Sequence, residues 1–240
     1  MTYDYDEAAA TAKERGWREL APIEQAFAEG RIDRAQWHAA VLDLIEPAYI
    51  AGANPRAQSG HSGDETQWQR ARRLLTKGLP AMEPAAYDRE LSFLDVGCAN
   101  GHLMESLVEW AAQDRIRLEP YGVEISPALA DLARSRLPQW AGRIWAANAM
   151  DWRPPRRFDV VRTGLDYVPA IARPEFLAHL LDHVVARSGR LIVGVYNEEH
   201  DRENLRDQVS DFGYTIAGFT CGPHAHPEIR YKAFWIENRG

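Results

Sequence analysis

The spacing of apolar positions changes character near residue 90. Upstream of that point it is helical. Ile23 and Phe27 lie four residues apart, and Trp37, Val41, Leu44 and Ala48 fall on one face of a second helix. Downstream, short apolar runs alternate with helical stripes. Leu91 to Val96, Tyr121 to Ile125, Arg143 to Ala147, Phe158 to Thr163 and Leu191 to Tyr196 read as five strands. Between them, Leu103, Leu107 and Ala111 mark one helix, and Leu129, Leu132 and Leu137 another. That second helix is capped by Ser126, with Pro127 at its first position. Phe176, Leu180 and Val184 mark a further helix, as do Leu205, Val209 and Phe212. The last two apolar runs, Tyr214 to Thr220 and Arg230 to Glu237, have no helix between them, so they should pair as an antiparallel hairpin.

Alternation of strand and helix predicts an α/β fold. The expected form is a doubly wound, mostly parallel seven-stranded sheet with an antiparallel last strand, plus an N-terminal helical lid. Residues 1–63 form the lid segment, ending in a flexible loop at 51–63, and residues 64–240 form a Rossmann-like domain. The loop AGANPRAQSGHSG is rich in turn-forming residues, and Ser62 with Glu65 makes a capping-box pattern for the helix that follows. Ligands of such sheets bind beyond the carboxyl ends of the strands, at the switch point.

Composition narrows the partners. A net charge of −7 over 240 residues argues against nucleic acid or an anionic membrane as the main partner. The leading candidate for a local basic patch is Arg70, Arg72, Arg73 and Lys77, whose plainer reading is a solvated helix face. Cys98 and Cys221 form neither a metal spacing nor a disulfide framework, which fits a cytoplasmic location. The acidic start, MTYDYDEAAA, has no apolar run of a secretory signal, and no stretch is long enough to span a bilayer.

The strongest chemical signal is SFLDVGCANGHLMESL. A strand ends at Asp95, a glycine turn follows, and a helix begins near Gly101. Gly97 and Gly101 let the backbone approach a ligand, and the helix start offers free N–H groups. Glu124 then closes the second strand, where a carboxylate can accept from both hydroxyls of a ribose. Turn plus acid points to an adenosine-type nucleotide. A dinucleotide site needs G-x-G-x-x-G, but the positions counted from Gly97 are Gly97, Ala99 and His102, and a histidine blocks the close helix–strand packing that the third glycine permits.

At these residues the chain resembles the class I S-adenosylmethionine (SAM)-dependent methyltransferases. Asp95, Gly97 and Gly101 match the family's D/E-x-G-x-G-x-G, with Ala99 in place of the middle glycine. The resemblance implies S-adenosyl-L-methionine as cofactor and S-adenosylhomocysteine as product. It implies a cofactor site of Asp95, Gly97, Cys98, Ala99, Gly101, Glu124 and Ile125, with Asn148, Ala149 and Met150 near the adenine and Thr163 at the fourth strand's end. Asn148–Ala149 stands where the family often has Asp–Ala, and Asn148 would offer its side-chain oxygen to the adenine amino group. The pre-strand helix brings Trp68 and Arg72 towards the methionine end, Arg72 as partner of its carboxylate.

Methyl transfer needs alignment above all, and a base only for an acceptor protonated at neutral pH. Candidates on the acceptor side are His61, Asp166, Tyr167 and His224, with Tyr196, Asn197, Glu198, His200 and His226 also at strand ends or in the hairpin loop. No third ligand joins His224 and His226, so no metal is expected. The D/N-P-P-F/Y motif of DNA amino-methyltransferases is replaced by Thr163-Gly164-Leu165-Asp166. The leading expectation is therefore a small-molecule methyltransferase, monomer or homodimer. An RNA or protein methyltransferase docking through Arg70 to Lys77 and a non-catalytic SAM-binding protein are the alternatives.

Overall fold

The computed structural model describes residues 18–61, 63–80, 90–197, 204–224 and 229–239. Seven strands form one sheet in the order β3-β2-β1-β4-β5-β7-β6. They are β1 (Glu90–Val96), β2 (Arg117–Glu124), β3 (Ile144–Ala146), β4 (Phe158–Thr163), β5 (Val185–Tyr196), β6 (Ile216–Pro223) and β7 (Arg230–Glu237). Strands β1 to β5 pair in parallel, whereas β7 lies antiparallel between β5 and β6. The expected doubly wound sheet and terminal hairpin are both present.

Alternate residues of the central strands feed two cores. Leu94, Val161 and Leu191 pack on one face with Phe176 and Leu180, while Phe93, Val160 and Ile192 pack on the other with Trp68, Leu107 and Trp110. A parallel sheet covered on both faces needs such continuous apolar runs. Two strands begin earlier than their apolar runs: β2 at Arg117 and β5 at Val185.

The helices are α1 over 18–28, α2 (Arg34–Ile50), α3 (Glu65–Arg72), α4 (His102–Gln113), α5 (Pro127–Arg136), α6 (Arg173–His179) and α7 (Leu205–Asp211). Ser126 caps α5 as expected, its hydroxyl accepting from Leu129 N–H at 3.0 Å. The stripe Phe176, Leu180, Val184 is buried but not one helix, because α6 passes into a π-helical turn at Leu180–Val184. The start of α3 is capped by Asp64, which accepts from Gln67 N–H at 2.7 Å; Ser62 lies outside the described residues.

Helix α2 is rotated from its expected face. Trp37 and Val41 are buried, but Leu44 is 37% exposed. The face turned to the sheet carries His38, Val41, Leu42, Ile45 and Tyr49 instead. Arg34 anchors α2 to Glu175 of α6 at 2.9 Å, and the Ser126 hydroxyl donates to Glu46 of α2.

Candidate active site

A cavity of about 290 Å3 opens at the carboxyl ends of β1, β2 and β4, with α2 as its roof. Its floor is the glycine turn. Gly97 (φ +74°), Ala99 (φ +47°) and Gly101 (φ +77°) all take left-handed backbone. A Cβ on Gly97 would meet no atom within 4 Å, so the turn leaves free space at that point. A Cβ on Gly101 would sit 2.6 Å from Leu137 Cδ1, which reserves that position for glycine on packing grounds. Ala99 holds the same hand at a cost of about 1 kcal/mol, since its Cβ crowds the backbone.

The turn is bonded to the next strand. Gly97 N–H donates to Val123 carbonyl at 2.8 Å, and Ala99 N–H donates to Glu124 Oε2 at 2.8 Å. Glu124 Oε1 accepts from Ser126 N–H at 3.0 Å. Two backbone donors therefore fix the carboxylate plane, and each oxygen retains a lone pair for a ligand. Burial raises the pKa of Glu124, opposed by those two N–H bonds.

Two guanidinium groups face the cavity. Arg162, from β4, donates Nε to Gly194 carbonyl at 2.5 Å and pairs Nη1 with Asp95 Oδ1 at 3.1 Å. Asp95 is 1% exposed and its Oδ2 has no hydrogen-bond partner among the described residues. Burial pushes its pKa up to about 6, against the pull of Arg162. Arg72 differs, making no hydrogen bond or ion pair with any described residue and resting over the Trp68 ring at 5.4 Å. Burial, then repulsion from Arg162, lowers its pKa to about 10, so it stays cationic at neutral pH.

At the other end, Asn148 Oδ1 accepts from Met150 N–H at 3.0 Å, so the oxygen expected to meet an adenine already braces its own turn. Asn148 Nδ2 faces His38 Nδ1 at 3.2 Å, and that ring nitrogen lies 2.8 Å from Arg34 carbonyl. Burial lowers the pKa of His38. The shorter contact makes Nδ1 the donor to Arg34, leaving Nε2 as the acceptor of a neutral ring. At the mouth, Tyr49 Oη and Tyr167 Oη meet at 2.9 Å. Burial raises both phenol pKa values above 10, that of Tyr167 well above, so both remain protonated.

The cavity thus brings together Arg72, Gly97, Ala99, Glu124, Ile125, Asn148, Ala149, Met150, Thr163, Asp166 and Tyr167. Other expected residues lie outside its wall. Trp68 is core, with Nε1 donating to Ser106 Oγ at 3.0 Å and its ring 4.8 Å from His102. Cys98 packs away from the cavity, where a Cβ on Gly122 would meet its Sγ at 2.7 Å. Asp95 and Gly101 act from beneath the floor. His61 lies edge-on to Trp68 at 5.5 Å, and burial lowers its pKa to about 4. His224 packs on Tyr231 at 4.7 Å. Glu198, His200 and His226 fall outside the described residues. The basic cluster is divided, since Arg72 turns into the cavity and Arg73 donates to Gln113 Oε1 at 2.6 Å. Sequence reasoning missed His38, Tyr49 and Arg162. Only Arg162 left a signal, as a charge inside an apolar strand.

No protein-family model matches the chain, and no curated protein is similar in sequence. Solved structures do match in fold. The 1,6-didemethyltoxoflavin-N1-methyltransferase of Burkholderia thailandensis aligns with a TM-score of 0.60 at 14% identity, over 86% of this chain and 90% of its own. The N-methyltransferase NodS of Bradyrhizobium japonicum WM9, with S-adenosyl-L-homocysteine bound, aligns at 0.57 and 16% identity, over 82% and 98%. The cyclase SpnF aligns at 0.54 and 15% identity, over 82% and 93%. The chain therefore has the class I methyltransferase fold, and SpnF is a reminder that the fold alone does not set the reaction.

Proposed function

We propose that this protein binds S-adenosyl-L-methionine in the cavity and transfers its methyl group to a small-molecule acceptor. The observation that carries the reading is the donor set of one cavity. It combines a glycine turn with free space at Gly97, a carboxylate oriented by two N–H groups at Glu124, and a cation at Arg72 that makes no ion pair among the described residues. These fit the hydroxyls of a ribose and the carboxylate of an amino acid respectively. Ile125, Ala149 and Met150, with His38 and Asn148, would hold the adenine.

The cofactor would supply a methyl group made electrophilic by its positive sulfur. The chain's own part is to hold both reactants in line and exclude water, through the roof formed by α2. Tyr49 and Tyr167, kept protonated, would donate hydrogen bonds to the acceptor rather than take its proton. Asp166, exposed at the mouth, is the proton acceptor we assign; His61 and His224 lie off the cavity wall. A roofed cavity of this volume favours a small acceptor over a polymer. The division of the basic cluster weakens docking of RNA, and the two methyltransferases above are named for N-methylation and toxoflavin chemistry.

Isothermal titration with S-adenosylhomocysteine tests the reading. Wild type should bind, and Glu124→Gln should bind at least about tenfold more weakly, since hydrogen bonds to a charged group contribute about 1.5–3 kcal/mol. Folded wild-type protein that binds none would end the proposal. Binding without methyl transfer across an acceptor panel would favour a non-catalytic role, or a reaction other than methylation.

A further inference from the structure

Asn100 sits inside the glycine turn and is fully buried. Its amide has two donor and two acceptor positions, and all four are filled. Nδ2 donates to Pro55 carbonyl at 2.9 Å and to Gln58 Oε1 at 3.3 Å. Oδ1 accepts from Ser59 Oγ at 2.6 Å and from His102 N–H at 3.1 Å. The last bond fixes which end of the amide is oxygen. Three of the four partners belong to the loop between α2 and α3, which folds over the turn as a short 3-10 helix, Ala57–Ser59. Arg136 Nη1 holds the residue's own carbonyl from below at 2.7 Å.

The loop passes this position on to the cavity. Gly60 follows Ser59 directly, takes left-handed backbone at φ +71°, and lies so close to Tyr49 that an added Cβ would fall 2.1 Å from its hydroxyl oxygen. Ser59, Gly60 and Tyr49 all bound the cavity, and Tyr49 then reaches Tyr167. A continuous path of contacts therefore runs from the floor to the mouth.

We propose that Asn100 is a positioning residue that locks the 55–60 loop onto the glycine turn, so that occupancy of the floor and placement of the Tyr49–Tyr167 wall are coupled. This rests on the cofactor reading above for its ligand, but not for the lock itself. The same side chain satisfies the loop's polar groups and the start of α4, so neither can shift without stranding a buried amide.

The test is amide hydrogen exchange on the full chain, with and without S-adenosylhomocysteine, for wild type, Asn100→Asp, Asn100→Ala and Ser59→Ala. Asn100→Asp keeps the shape but turns a carboxylate on Pro55 carbonyl and Gln58. Ser59→Ala removes the hydroxyl that donates to Asn100 Oδ1 and also lies 3.1 Å from Pro55 carbonyl, leaves the turn's own residues in place, and serves if the Asn100 variants fail to fold. In ligand-free protein, the amides of Ser59, Gly60 and His61 should exchange at least about tenfold faster in the variants, with β1 and the body of α4 beyond its first turn unchanged. With ligand, wild type should show added protection of 58–61. The variants should lose that protection and bind about fivefold or more weakly, the low end of ordinary coupling between sites. Wild-type exchange at 58–61 in folded variants would overturn the lock. Weakened binding with the added protection intact would overturn the coupling. Wild type that binds no ligand would sink the cofactor reading and the coupling with it, while the ligand-free comparison still decides the lock.

Discussion

The hydroxyls of Tyr49 and Tyr167 meet at 2.9 Å across 118 residues of sequence, joining α2 to the loop after β4. It is a direct polar tie between the roof and the mouth of the cavity. Tyr49→Phe and Tyr167→Phe should each destabilise the fold by about 1 kcal/mol, and the double variant by less than the sum, because either removal breaks the same bond. Denaturant titration of the four proteins reads this; strict additivity would mean the hydroxyls do not interact. Both pKa values are raised in the fold, so the folded state holds protons that the unfolded state has released at high pH. Wild-type stability should therefore fall as pH rises above about 10.

Arg162→Ala should destabilise by about 3 kcal/mol at pH 8, because it strands the carboxylate of Asp95 in the interior. The folded pKa of Asp95 already stands at about 6, above its ordinary 3.8, and loss of the cation raises it further. The folded variant then takes up a proton before the unfolded chain does. Its deficit against wild type should shrink as pH falls from 8 towards about 6 and level off below that, where both folded proteins hold the proton. A deficit that grows on acidification, measured by thermal unfolding across pH, would contradict this.

His61 behaves in the opposite sense. Its folded pKa of about 4 lies below the ordinary 6.5, so the unfolded state binds the extra proton. The neutral ring contributes stability that is complete above pH 6.5 and lost between 6.5 and 4. His61→Phe, which keeps an aromatic ring against Trp68, should flatten the stability profile over that window relative to wild type. An unchanged slope would show that His61 is charged in the folded protein.

Ala99→Gly should raise stability by about 0.5 kcal/mol. Relief of the left-handed backbone at φ +47° exceeds the extra freedom that glycine gives the unfolded chain. The bond from the residue 99 N–H to Glu124 should survive, so ligand affinity should change little. A fall in melting temperature would mean that the Ala99 side chain packs more favourably than its backbone is strained.

Much of the architecture was legible in the sequence. The strand over Phe158–Thr163 stands where its apolar run ends on both sides. The cap and proline of α5 fixed its start, and the turn from Asp95 with Glu124 located the cavity floor. The early starts of β2 and β5 were hidden because Arg117, Glu119 and Pro120, then Arg187, Ser188 and Gly189, read as turn residues. In the sheet, register with β1 outweighs that local preference, pairing Arg117 with Glu90. Helical period placed α2 but not its orientation. Which face meets the sheet depends on tertiary packing: Trp37 and Val41 stay buried, whereas Leu44 and Ala48 turn outward and His38, Ile45 and Tyr49 line the cavity. Arg162 was the exception, a charge in a buried strand whose partner Asp95 lies in the neighbouring strand's register.

The cavity wall draws on residues from His38 in α2 to Val195 at the end of β5. No shorter stretch of the chain carries the site. Its last wall residue, Val195, lies in β5, so during synthesis the cavity is complete only when the fifth strand has joined the sheet. Occupancy would accordingly favour the completed fold over partial ones, so a nucleoside ligand would act as a reporter of finished assembly, with melting temperature rising as its concentration is raised.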